Sequence, residues 1–229
     1  MSLNQTIAQA IPLSVIVFFL VAFVLPLIRL WLRTGTFAMA FSRNRDPIQK
    51  LVGAAIAIYM TSLCVWAVCY AILGTKALNV WEVPDTLKSI GWCLFSFGLG
   101  VIVTGQAQMG ISWRMGVDPE PTGLITSGIF RLSRNPIYTG MLLTLSSYLL
   151  MSPCPWLIMG LVQFTLLISL QTRYEEQALI NTHGYLYLQY ASIVGRFFPS
   201  LGCLSITSIN SSSNTFNVDN ISSIQKSNV

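Results

Sequence analysis

The stretch that decides the fold runs from residue 135 to residue 172, NPIYTGMLLTLSSYLLMSPCPWLIMGLVQFTLLISLQT, without one Asp, Glu, Lys or Arg. In its middle stand Ser152, Pro153, Cys154 and Pro155. Prolines so close together remove backbone donors and resist helix continuation, so the spacing predicts two short helices folded back as a hairpin. Each half has about 15–18 residues, or about 22–27 Å at 1.5 Å per residue, against a hydrocarbon core of about 30 Å. The hairpin therefore barely crosses, and a shallow or re-entrant form is the alternative.

Further uncharged blocks lie on the N-terminal side. Residues 11–32 are apolar apart from Ser14 and Arg29, and residues 51–75 and 89–113 carry no charge. Each reads as one membrane span. The first block resembles a signal peptide only superficially, because it lacks a basic flank and is too long; it is expected to be a retained span. Composition agrees: 53% of the 229 residues are hydrophobic and 9% charged, with a mean hydropathy of +0.63. A soluble domain carries about 25% charged residues. Disorder, a collagen-like chain and a disulfide scaffold are excluded on the same grounds. The expected fold is all-α: a polytopic membrane protein of about five transmembrane helices, including the short hairpin.

Basic residues set the expected orientation. Arg29, Arg33, Arg43, Arg45, Lys50, Arg114, Arg131, Arg134, Arg173, Arg196 and Lys226 fall on one side, and Lys76 and Lys88 on the other. This bias puts the N-terminus outside and the C-terminus in the cytosol. The net charge of +5 is a topology signal and an attraction to anionic lipid, not a nucleic-acid footprint, since no basic run is interleaved with aromatics. Cys64, Cys69, Cys93, Cys154 and Cys203 form no CxxC pair and suggest no metal. Three regions are expected: a two-span part over 1–84, a membrane core over 85–203, and a disordered Ser/Asn-rich tail over 204–229.

Polar chemistry gathers in two stretches flanking the hairpin. The first, 108–140, ends in Arg134-Asn135-Pro136. Asn135 suits an N-cap and Pro136 a helix start, leaving free N–H groups for an anionic ligand group; the plain alternative is a helix start and nothing more. The second, 171–199, carries Glu175 and Glu176. Arg173 lies three residues before Glu176, so an ordinary i,i+3 pair is the structural reading. Tyr187, Tyr190, Phe197 and Phe198 would then form an interfacial belt, and His183 a helix end. A short hairpin, however, brings its two ends side by side, and with them both polar clusters. Gly91, Gly98 and Gly105 recur every seven residues and line one helix face, for close helix packing or a flat ligand.

These two stretches resemble the integral membrane methyltransferase superfamily that includes isoprenylcysteine carboxyl methyltransferases and phospholipid N-methyltransferases. The matching residues are Leu124-Ile125-Thr126-Ser127-Gly128-Ile129-Phe130-Arg131, then Arg134-Asn135-Pro136-Ile137-Tyr138-Thr139-Gly140. After the hairpin come Glu175-Glu176 with Leu179, Gly184, Tyr187, Tyr190 and Pro199. The resemblance covers about residues 85–200. It implies an S-adenosyl-L-methionine site on the cytosolic side, roofed by the C-terminal segment, and a lipophilic methyl acceptor entering from the bilayer. By the same resemblance Thr122, Gly123, Leu124, Ile125, Phe130, Asn135, Pro136, Ile137 and Tyr138 would wrap the cofactor. Glu175 and Glu176 would hold its amino group or ribose, and Arg173 and Arg134 would act on the acceptor. The carboxyl-methylating members have His at the position of Asn135 and Arg at that of Gln171, with Arg173 the nearest substitute here. The acceptor is accordingly an isoprenylcysteine-like carboxylate, a phospholipid or another small lipophile. Two other readings compete: an NADPH-dependent membrane reductase of the sterol-reductase type, and a non-catalytic membrane protein.

Overall fold

The computed structural model describes residues 3–35, 47–113 and 123–204. Among them there are helices and turns and no strand. The first span is α1 (Leu3–Phe19), a π-helical turn (Leu20–Val24) and α2 (Leu25–Thr34). Pro26 explains the interruption. It brings no N–H to the carbonyl of Ala22, and its ring pushes that carbonyl aside. The freed oxygen accepts a 2.8 Å hydrogen bond from Nε2 of the buried Gln106. A broken ladder is thus repaired across the bundle, as hydrocarbon surroundings require.

Four longer helices follow: α3 (Pro47–Ala77), α4 (Asp85–Met109), α5 (Pro136–Met151) and α6 (Pro155–His183). A short α7 (Tyr185–Ile193) comes last. Residues 10–34, α3, α4 and α6 are long and apolar enough to cross a membrane; α5 is apolar but shorter. Ile58, Ile72 and Leu166 are exposed on the outer surface, which suits lipid rather than water. The protein is a multi-pass membrane protein.

The hairpin forms around Ser152–Cys154, but its arms are unequal. α5 has 16 residues and α6 has 29, about 24 and 43 Å. The expectation of two short helices fails for the second arm: α6 runs on through Arg173, Glu175 and Glu176 to Gly184, whose φ of 53° stops it. At the far end of the bundle, the N–H of Trp81 donates to the carbonyl of Pro153 (2.9 Å), tying the loop before α4 to the hairpin turn.

The glycine stripe is packing. A side chain at Gly98 would meet Thr144 Oγ1 at 2.5 Å and the Gly140 carbonyl at 2.9 Å, and one at Gly105 would meet Ile137. α4 and α5 therefore touch almost backbone to backbone, which is how helices gain contact where lipid is as apolar as leucine. Gly98→Ala should lower stability in detergent by about 1–2 kcal/mol, since backbone atoms cannot give way. A thermal melt alongside Gly100→Ala, where nothing lies within 4 Å, checks this. Deeper in the bundle, Tyr59 stacks on Phe164 (5.1 Å between centroids), and Tyr148 sits between Phe95 and Trp66.

Candidate functional site

α5 starts at a crowded point. Asn135 is its N-cap, yet its side chain makes no cap hydrogen bond. Instead Nδ2 donates to the Arg196 carbonyl (3.1 Å), as does the Asn135 N–H (3.2 Å). The first-turn N–H groups of Ile137 and Tyr138 thus lack a side-chain cap, while Pro136 has none to satisfy.

Residues 185–204 form a roof over this point. The Arg134 N–H donates to the Gly195 carbonyl (2.9 Å) and the Thr139 hydroxyl to the Phe197 carbonyl (2.8 Å). Tyr190 donates its hydroxyl to the Phe130 carbonyl (2.6 Å). Burial pushes that phenol up to about 12, against the lowering effect of Arg134, and burial raises Tyr187 as well. Both hydroxyls stay protonated donors at neutral pH. Gly195 fits because a side chain there would collide with the backbone of Phe198 and Leu201.

A buried ionic latch fastens the roof. Arg134 Nε and Nη2 both donate to Glu176 Oε1 (3.1 and 2.7 Å). Nη1 donates to the carbonyls of Ala191 and Val194 (2.6 and 2.8 Å), and Nη2 also to that of Gly202 (3.0 Å). All five guanidinium N–H groups are therefore used. Arg196 completes the latch through Nε to Glu176 Oε1 (3.1 Å) and Nη2 to Oε2 (2.7 Å). The expected Arg173–Glu176 pair is not what forms: Glu176 turns inward to two other arginines, and Arg173 is exposed on α6.

Glu175 has a different environment. Its Oε1 accepts from the Tyr138 hydroxyl (2.7 Å) and from Gln171 Nε2 (2.9 Å). Among the described residues Oε2 has no hydrogen-bond partner.

Under the roof lies a cavity of about 190 Å³. Of the residues expected to wrap a cofactor, Gly123, Leu124, Ile125, Phe130, Asn135, Pro136, Ile137 and Tyr138 all line it. Thr122 lies outside the described residues, as do Arg43, Arg45, Arg114 and residues 205–229. Glu175 and Glu176 stand behind the wall, Glu175 joined to it through Tyr138. Of the two arginines expected to act on an acceptor, Arg134 lines the cavity with its donors spent, and Arg173 lies outside the wall. Tyr187 and Tyr190, expected in an interfacial belt, also line it. His183 ends α6, as expected.

Sequence reasoning missed the depth of the cavity. Phe23, Ile56, Met60, Met141, Phe164 and Ile168 line it from the π-turn, α3, α5 and α6. Phe164 and Leu179 both contribute from α6 although fifteen residues apart, about 22 Å along the axis. The space is polar where α5 begins and apolar where it descends between α3 and α6.

Residues 86–185 match the phospholipid methyltransferase family. The match covers the glycine-striped helix, the hairpin and both glutamates, the region on which the sequence resemblance rests. Among solved structures, the chain is similar to the eukaryotic intramembrane Ras methyltransferase, isoprenylcysteine carboxyl methyltransferase, at 18% identity and a TM-score of 0.48. That alignment covers 71% of this chain and 56% of the other, so the chain spans little more than half the length of that structure. No curated protein shows significant sequence similarity.

Proposed function

We propose that the protein is an S-adenosyl-L-methionine-dependent membrane methyltransferase acting on a lipophilic acceptor, with residues 85–203 as its functional core and the roofed end facing the cytosol. The observation that carries this reading is the cavity itself. Lined in large part by the segment matching the phospholipid methyltransferase family, and otherwise by Phe23, α3 and α7, it joins a polar pocket at the start of α5 to an apolar space between α3 and α6.

The residues present suit the methyl donor. Its ammonium and sulfonium call for a carboxylate, and Glu175, set behind Tyr138 in the wall, keeps one oxygen without a hydrogen-bond partner among the described residues. Its carboxylate suits the uncapped N–H groups at the start of α5. When bound, S-adenosyl-L-methionine supplies an electrophilic methyl group on a good leaving group. The protein's part is then orientation and exclusion of water more than proton transfer. Tyr138, anchored on Glu175, fixes the wall at the polar end. The roof shuts out water. Arg134 acts as a positioning residue, holding the roof to α5 and α6, because it has no donor left for a substrate. Met60, Phe164 and Ile168 line the path by which an apolar acceptor would arrive.

Purified protein is expected to bind S-adenosyl-L-methionine in isothermal titration in detergent and to show no thermal stabilisation by NADPH. Membranes containing it should transfer label from a radiolabelled methyl donor to a product extractable into organic solvent. Absence of donor binding in folded protein overturns the reading; stabilisation by NADPH alone points to the reductase instead.

A further inference from the structure

A second recess, of about 220 Å³, lies between α2 and the end of α4, on the same end of the bundle as the cavity. Its upper part is formed by Arg29 and Arg33, one helical turn apart and so on one face of α2. Its lower part is formed by Val21, Leu25 and Val103. Trp113 lines both this recess and the central cavity. Both arginines are exposed, and among the described residues neither has a hydrogen-bond or ion-pair partner.

Arginines that serve only to orient a span reach into water and need no cleft. Here two unneutralised guanidiniums share one cleft whose walls become apolar within three turns. From Arg33 to Val21 is twelve residues, about 18 Å along the helix. That is the profile of a headgroup with the upper part of its chains. Arginine's planar fork matches phosphate oxygens in pairs, and two positive charges favour a lipid with net negative charge over a zwitterionic one. We infer that the recess between α2 and α4 seats one anionic phospholipid, its phosphate on Arg29 and Arg33 and its chains along Val21, Leu25 and Val103. The proposal does not depend on the methyltransferase reading.

The test is native mass spectrometry of the full chain in neutral detergent, titrated with phosphatidylglycerol or with phosphatidylcholine of the same chain length. The wild type should retain one phosphatidylglycerol on the order of tenfold more tightly than phosphatidylcholine. The Arg29→Gln/Arg33→Gln pair should lose about tenfold of that affinity. Val103→Trp, which fills the apolar part and leaves both arginines, should lose retention too. Arg131→Gln, an exposed arginine outside the recess, should behave as wild type, and millimolar inorganic phosphate should not displace the lipid. Equal retention of both lipids, wild-type retention by either recess variant, or displacement by inorganic phosphate would overturn the proposal. If the double arginine variant does not fold, Val103→Trp decides.

Discussion

Glu176→Gln lowers the stability of the protein in detergent by about 3–5 kcal/mol, the cost of leaving a buried charge without its partner. The side chain of Arg134 is 1% exposed and that of Glu176 6%, at 2.7 Å from each other. An amide in place of the carboxylate removes the countercharge and turns an N–H toward one of the two guanidiniums. Arg196, at 24% exposure, can swing to water, whereas Arg134 cannot. The loss should appear as a lower melting temperature and as faster proteolysis of residues 185–204. A second variant separates charge from packing. Arg134→Met combined with Glu176→Leu removes both of these charges, and its loss of stability reads the packing and the guanidinium's lost bonds to the Ala191, Val194 and Gly202 carbonyls rather than a stranded charge. If Glu176→Gln melts as the wild type does, the latch does not hold the roof.

Glu175→Gln leaves the fold intact and weakens binding of S-adenosyl-L-methionine by about 1.5–3 kcal/mol, roughly ten- to a hundredfold, the range of a hydrogen bond to a charged group. The two glutamates are neighbours in sequence, but only Glu176 is enclosed by arginines. Glu175 is held by neutral donors, Tyr138 and Gln171, so its negative charge is left for a cation. Tyr138→Phe keeps the charge and removes one of these donors, and should cost about 1 kcal/mol. Isothermal titration of folded variants reads both effects. Unchanged affinity in Glu175→Gln would remove this glutamate from the donor site.

The sequence announces some of this clearly and hides the rest for identifiable reasons. Gly91, Gly98 and Gly105 mark their contact with α5 because only glycine permits it, and a seven-residue interval is visible in any reading. The Pro153–Pro155 turn is legible for similar reasons of local chemistry, whereas the wall over residues 123–138 stands out only through the family resemblance. The length of α6 is not. A run without charges shows where hydrocarbon ends, not where a helix ends, and helical hydrogen bonding continues unhindered through Arg173, Glu175 and Glu176. The latch is equally hidden. Arg134 and Glu176 are 42 residues apart, and Arg196 is a further 20 away; no periodicity links them, while Arg173 offers a plausible partner three residues off. The apolar depth of the cavity also leaves no trace, since Met60 or Phe164 facing an empty space differs in no way from a leucine facing lipid.

The roof has a consequence for how the protein is made. The roof groups named above, from Tyr187 to Gly202, lie after α6 in the order of synthesis. The helices therefore leave the ribosome ahead of the roof, and Arg134 emerges before Ala191, Val194, Arg196 and Gly202 can fold onto it. Insertion and maturation of the site are separate events. A chain halted before Arg196 would keep every described membrane helix and lack the contacts by which Arg196, Phe197 and Gly202 hold the roof down.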